Sequence, residues 1–207
     1  MADNLRIRPA TPEDAPLAAD LIFSTGPALF DFVFYRDKEK NLALINRLFA
    51  EETNSFSHNC AYLAEVGGRS AGLVHVVDFE EKKSGNRTLG GSLVRHMGWV
   101  AFLVRAPRFL TLDRLIPEIG NDAYYIQHLA TLERFRGQGV GRGLLEFCET
   151  VAAGRQLGSL ALDVESGNAA AIRVYRSFGF KVDRKIESRG LRRKYDFKGL
   201  YRMIKEI

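Results

Sequence analysis

Four of the eight residues in RGQGVGRG, residues 136–143, are glycine. The segment follows an apolar run, AYYIQHLATL, and leads into LLEFCETVAA, which reads as a helix. Glycine reaches positive φ and lets a ligand approach the backbone closely. Successive N–H groups from Gly137, Gln138, Gly139, Val140 and Gly141 form a nest for an anion. The nest lies at a helix N-terminus, where the dipole also favours negative charge. Arg136 and Arg142 add full positive charge. A pyrophosphate fits this description; a ligand-free glycine turn has the same composition. Spacing excludes two nucleotide sites. A dinucleotide fingerprint needs glycine at its first, third and sixth positions, and the sixth residue is Arg142 counted from Gly137 and Leu144 counted from Gly139. A Walker loop needs Gly-Lys before Ser or Thr, a step this chain lacks.

Other reactive residues narrow the chemistry further. His58, His75, His96 and His128 show no ligand spacing with Cys, Asp or Glu, so no metal site is expected. Cys60 and Cys148 have no paired spacing, which suits a reducing compartment. The chain has 207 residues, 46% hydrophobic and 27% charged, with a formal net charge of +5. That is an ordinary globular composition with one sizeable core. The charge suits an anionic ligand, and no aromatic-interleaved basic stripe points to nucleic acid. The start carries no apolar signal segment. The longest apolar run, MGWVAFLV, is far short of the roughly 20 residues that span a bilayer. These features predict a soluble cytoplasmic protein without a membrane span or a nucleic-acid partner.

The glycine segment needs a strand before it and a helix after it, and the pattern supplies both. LRIRPA reads as a strand. Thr11 then caps a helix that opens on Pro12, Glu13 and Asp14. A second helix covers 38–51, with Leu42, Ile45, Leu48 and Phe49 on one face. AYLAEV and AGLVHVVDF are strands joined by a Gly-Gly turn. Residues 80–121 change texture and read as an inserted helical segment. After it come the strand AYYIQHLATL, a helix from Val140 closed by Gly158, the strand SLALDV, a helix from Asn168 to Gly179, and the strands FKVDRKIE and FKGLYRMIKEI. The basic stretch SRGLRRKYDFKG reads as a solvated loop between the last two strands, or as an acceptor-side loop favouring acidic substrates.

RFRGQGVGRGLL resembles the pyrophosphate loop of the GNAT superfamily of acyl-CoA N-acyltransferases, with Arg136, Gly139 and Gly141 at the motif positions. LDVESGNAAAIRVYRSFGF is similar to the family's next segment, through Asn168, Ala171, Ile172, Tyr175, Gly179 and Phe180. The match is dense from Tyr124 to Phe180. It implies an α/β layered fold over residues 1–207 as a single domain. Its mixed, mostly antiparallel sheet would splay between the fourth and fifth strands, with helices on both faces. The chain departs from the family at 80–121, where the third and fourth strands usually form a tight hairpin. The insertion is apolar enough to pack on the sheet, to cover the acceptor side or to form a homodimer contact.

The resemblance implies acetyl-CoA, or another acyl-CoA, as donor, with no metal. Its pyrophosphate would sit on residues 137–142, and its pantetheine arm along Leu129, Ala130, Thr131 and Leu132 like an added strand. A backbone N–H near Leu129 or Ala130 would stabilise the tetrahedral oxyanion. The acetyl group would pass directly to a primary amine of a small molecule or peptide. Tyr175 is the expected general acid, and Asn168 a contact to pantetheine or a plain helix cap. For the general base, His128, Gln127, Asp122, Glu165 and water stay open; strand alternation would put Tyr125 and Gln127 on one face and His128 on the other. The competing expectation is a module of the same fold that binds acyl-CoA as a sensor or scaffold without turnover.

Overall fold

The computed structural model describes residues 4–207, so the first three residues of the start lie outside the described residues. β1 (Leu5–Pro9) is an edge strand, the place where a proline is tolerated. The Thr11 N–H donates to Asp14 Oδ2 over 2.9 Å and closes a short 3-10 turn. That turn leads into α1 (Ala15–Ser24), then α2 (Pro27–Val33) and α3 (Lys38–Ala50). β2 (Ala61–Val66) and β3 (Arg69–Val77) form a hairpin whose turn glycines, Gly67 and Gly68, have φ of 57° and 72°. Positive φ at both central residues matches the twist of the strands.

Two helices fill the segment after β3. α4 (Phe79–Met97) opens on a reciprocal cap between Asp78 and Glu81, and α5 (Trp99–Leu115) folds back against it. β4 (Ala123–Thr131), α6 (Val140–Gly154), β5 (Ser159–Glu165), α7 (Ala169–Ser177), β6 (Lys181–Ile186), α8 (Arg189–Tyr195) and β7 (Leu200–Glu206) complete the chain. The seven strands run in the order β1-β2-β3-β4-β5-β7-β6, and every pairing is antiparallel except β4 with β5. α6 makes the crossover that a parallel pair requires. α6 and α7 pack on one face of the sheet, through Leu144, Leu145, Cys148 and Ile172. α1, α2, α3 and α8 contribute to the core on the other, with Ile22, Phe30, Leu48 and Leu191.

The structure corrects three local readings. α6 stops at Gly154, not at Gly158. Its end is a left-handed cap at Gln156 (φ 58°), with the Leu157 N–H returned to Ala152 O, a turn normally given to glycine. The basic segment is not a loop: Ser188 caps the helix α8, and Leu191 anchors it in the core while Tyr195 meets Phe32 edge-on. The apolar helix α2 has no counterpart in the sequence reading, because at seven residues it is too short to show a period.

α5 packs the half-buried Phe102, Phe109 and Leu112 against its neighbours but leaves Trp99, Val100, Leu103 and Val104 more than half exposed. Among the described residues no single helix is long and apolar enough to cross a membrane. The apolar stretch through α1 and α2 bends by 101°, and its Ile22 and Phe30 lie in the core.

Candidate active site

Past the parallel pair the sheet opens. β4 and β5 are paired from Ala123–Ser159 to Ile126–Leu162 and no further, while β4 stays bonded to β3 as far as Thr131. The Leu132 N–H donates to Ala71 O over 2.9 Å. By antiparallel alternation Ala130 also turns its N–H to β3, and Leu129 and Thr131 turn theirs to the open edge. A cavity of about 1260 Å³ fills the opening and runs from the glycine loop to the space beneath α4 and α5.

At one end of the cavity is the loop. Gly137 (φ 76°) and Gly139 (φ 82°) are left-handed, and Gly139 is the N-cap of α6. The Gln138 N–H is spent on Phe135 O and the Gly143 N–H on Gly139 O. The N–H groups of Val140, Gly141 and Arg142, in the first turn of α6, have no main-chain acceptor. Arg136 and Arg142 are exposed; Arg142 also meets Glu146 over 2.9 Å. α6 comes this close to the sheet because β3 carries Gly72 beneath it. A Cβ there would stand 3.2 Å from the Val140 side chain and 2.8 Å from Ala130 O.

Midway along the cavity the register of β4 shifts. His75 pairs with His128, but Val76 pairs with Ile126, so Gln127 is an extra residue. This bulge overturns the alternation expected from sequence. Tyr125 and His128 share the face toward α1 and α4, and Tyr124 and Ile126 pack on the opposite one. The Thr25 hydroxyl donates to Ile22 O over 2.7 Å, so its oxygen accepts the Nδ1–H of His128 at 2.8 Å. That leaves the Nε2 lone pair unprotonated. Burial, and His75 behind it, push the His128 pKa down to about 3. Across the opening Tyr175 is buried on α7, edge-on to Phe180 at 5.8 Å. Burial first and Cys148 second raise its pKa to about 12.

At the vertex of the opening lies a buried polar group. Arg202 Nε and Nη2 hold Asp163 at 2.6 and 2.8 Å, the Tyr125 hydroxyl donates to the same carboxylate, and Arg202 reaches Pro117 O and Glu118 O. Lys82 stands 4.3 Å over the Tyr125 ring.

A profile of the acetyltransferase (GNAT) family matches residues 30–180 of this sequence. The chain belongs to that family. A streptothricin acetyltransferase from Escherichia coli is 35% identical over 62 residues, 30% of this chain and 36% of that protein, so the chain aligns with about a third of that relative's length. A crystal structure described as an acetyltransferase is 25% identical, with a TM-score of 0.69 over 98% of this chain and 99% of its own. An N-acetyltransferase from Staphylococcus aureus Mu50, 21% identical, shares the fold at a TM-score of 0.64 over 96% of this chain and 98% of its own.

Within this GNAT fold, most residues singled out from the sequence line one cavity. They are Leu129 to Thr131, Arg136, Gly137, Gly139 to Arg142, Asn168, Ala171 and Tyr175. Leu132 and Gln138 do not line it; Leu132 is turned to β3, and the Gln138 amide bonds Arg134 O. Asn168 caps α7, accepting from the Ala171 N–H at 3.1 Å. Of the candidate bases, Gln127, His128 and Glu165 face the cavity, and Asp122 sits at the far end of β4 beside Gly158. Glu165 keeps a buried Oε1 without a partner among the described residues, and burial raises its pKa.

Residues outside the sequence reading complete the walls: Thr25, Phe30 and Phe56 beside His128, and Lys82, Phe102 and Phe109 from α4 and α5. They come from separate segments and share no motif. GRSAG, residues 68–72, has the spelling of a hydrolase nucleophile elbow but is the end of a hairpin turn and the start of β3. With no strand-to-helix turn there, Ser70 is not an exposed nucleophile. Among the described residues no three His, Cys, Asp or Glu side chains are grouped to hold a metal ion.

Proposed function

We propose that the protein transfers an acetyl group from acetyl-CoA directly to a primary amine of a small molecule or peptide. The observation that carries this reading is the continuity of one cavity from the first turn of α6, past the unpaired edge of β4, to Tyr175 and His128. An N-acetyltransferase from Thermoplasma acidophilum of the same fold, 14% identical with a TM-score of 0.53, has been solved in complex with coenzyme A. The residues here fit that group: free N–H donors for a pyrophosphate, and an open strand edge for an amide-bearing arm.

Bound acetyl-CoA would supply an activated thioester. The N–H groups of Val140, Gly141 and Arg142 hold its phosphates. The open edge of Leu129 and Thr131 bonds the pantetheine amides, and Asn168 stays a helix cap. Leu129, whose N–H faces the opening, serves as the oxyanion donor rather than Ala130. The amine would add to the thioester carbonyl, and the tetrahedral adduct would then collapse by breaking the C–S bond. His128 Nε2, held neutral by its low pKa, accepts a hydrogen bond from the amine and orients it, and water carries the proton away. Tyr175 stays protonated because its pKa lies above the roughly 8.5 of a thiol, and it donates to the departing sulfur.

The test is thiol release from acetyl-CoA across a panel of amines. Turnover in the wild type, lost in Tyr175→Phe with donor binding kept, supports the reading. Tight acetyl-CoA binding with no turnover on any amine would leave the sensor module instead.

A further inference from the structure

The cavity continues past His128 into a chamber much larger than an acetyl group needs. Its wall is a run of rings. His128 lies 5.9 Å from Phe30, Phe30 lies 6.0 Å from Phe34, Phe34 lies 6.1 Å from Phe109, and Phe109 lies 5.9 Å from Phe102. Such a wall takes an apolar body of aromatic size. Among the described residues, one partly buried cation faces this space without an ion-pair partner. Lys82, on the first turn of α4, lines the cavity and stands over the Tyr125 ring, with no carboxylate in ion-pair or hydrogen-bond contact among the described residues.

The charges around Lys82 explain why it is unsatisfied. Asp163 is taken up by Arg202, and Asp113 and Glu118 are exposed and screened by water. Burial, and after it the nearby Arg202 guanidinium, outweigh the attraction of all three, and the pKa of Lys82 falls to about 8. An ammonium held in a mostly apolar space is stabilised by an anion that enters with the substrate.

We propose that the acceptor is an amine whose apolar, aromatic-sized body also carries a carboxylate, and that Lys82 binds this carboxylate while the rings bind the body. The inference rests on the acetyl-transfer reading and names its acceptor class.

The experiment compares aromatic amino acids bearing α-, β- or γ-placed amines with the same amines lacking the carboxylate. Initial rates are measured with acetyl-CoA. At least one carboxylate-bearing acceptor is expected to exceed its decarboxylated partner in kcat/KM by about 10- to 100-fold, the worth of one hydrogen bond to a charged group. Lys82→Met, which keeps the aliphatic stem, reduces that ratio to near one, and Lys82→Arg restores part of it. A melting curve on each variant confirms the fold. A wild type that acetylates decarboxylated amines equally well, or a ratio unchanged in Lys82→Met, overturns the acceptor class and leaves acetyl transfer standing. No turnover on any amine, together with no binding of acetyl-CoA, removes both.

Discussion

The two ends of the cavity are built in different ways. The glycine-loop end, proposed for the donor, is mostly main chain: left-handed glycines, the first turn of α6 and the unpaired edge of β4. The aromatic end, proposed for the acceptor, is mostly side chains, brought together from α1, α2, the turn at Phe56, the bulge in β4, and α4 with α5. Recognition by backbone tolerates many side chains but demands particular φ angles, so it leaves glycines at fixed spacing. Recognition by side chains leaves φ free and is assembled by tertiary packing, so it leaves no spacing to read.

The largest effect is expected where the two ends meet. Asp163→Ala leaves Arg202 buried and unpaired under the cavity, at a cost of about 3–5 kcal/mol. The melting temperature should fall by roughly 6–20 °C, read by thermal denaturation. A smaller fall would mean that water, not the protein, satisfies Arg202.

Tyr175→Phe separates chemistry from donor binding. It should lower kcat by about 100-fold or more while the acetyl-CoA Kd, read by calorimetry, stays within a factor of two or so. Phe109→Ala makes the mirror test on the acceptor wall. The acceptor KM should rise by about tenfold, the scale of lost apolar contact in a binding pocket, with the donor Kd unchanged. If Phe109→Ala weakened the donor as well, the division between the two ends would be wrong.

A pH test concerns His75, fully buried beside the bulge with its Nε2 near Ser57 O. Burial lowers its pKa from 6.5 to about 4. The unfolded chain therefore binds the proton more readily. Stability is complete above pH 6.5 and is lost as pH falls toward 4. His128, lowered to about 3, acts in the same direction, so the expected slope is up to about 1.4 kcal/mol per pH unit from each of the two groups, measured as urea midpoints at pH 7, 6 and 5.

The same contrast explains what was legible in the sequence. The hairpin at Gly67-Gly68, the strand β4, the cap at Asn168 and the loop at Gly139 each rest on local rules, and the structure has them where the sequence puts them. The end of α6 was misplaced because Gln156 occupies a conformation usually left to glycine. The side assigned to His128 was reversed by one extra residue, Gln127, whose effect on alternation appears only when β4 is paired with β3. Lys82 falls in the segment 80–121, which reads from sequence only as an inserted helical stretch, and only the packing of α4 over Tyr125 turns it into the cavity.

Binding of acetyl-CoA to the wild type and to Gly139→Val tests the central claim most directly. Gly139 caps α6 at φ 82°, where a branched side chain is strained and would cover the free N–H groups. With acetyl-CoA at about 100 times its Kd, the wild type should gain about 2.7 kcal/mol, roughly 5–10 °C in melting temperature, and the folded variant should gain nothing. An equal gain in both would place the donor away from the glycine loop, and no gain in the wild type at millimolar acetyl-CoA would contradict the account.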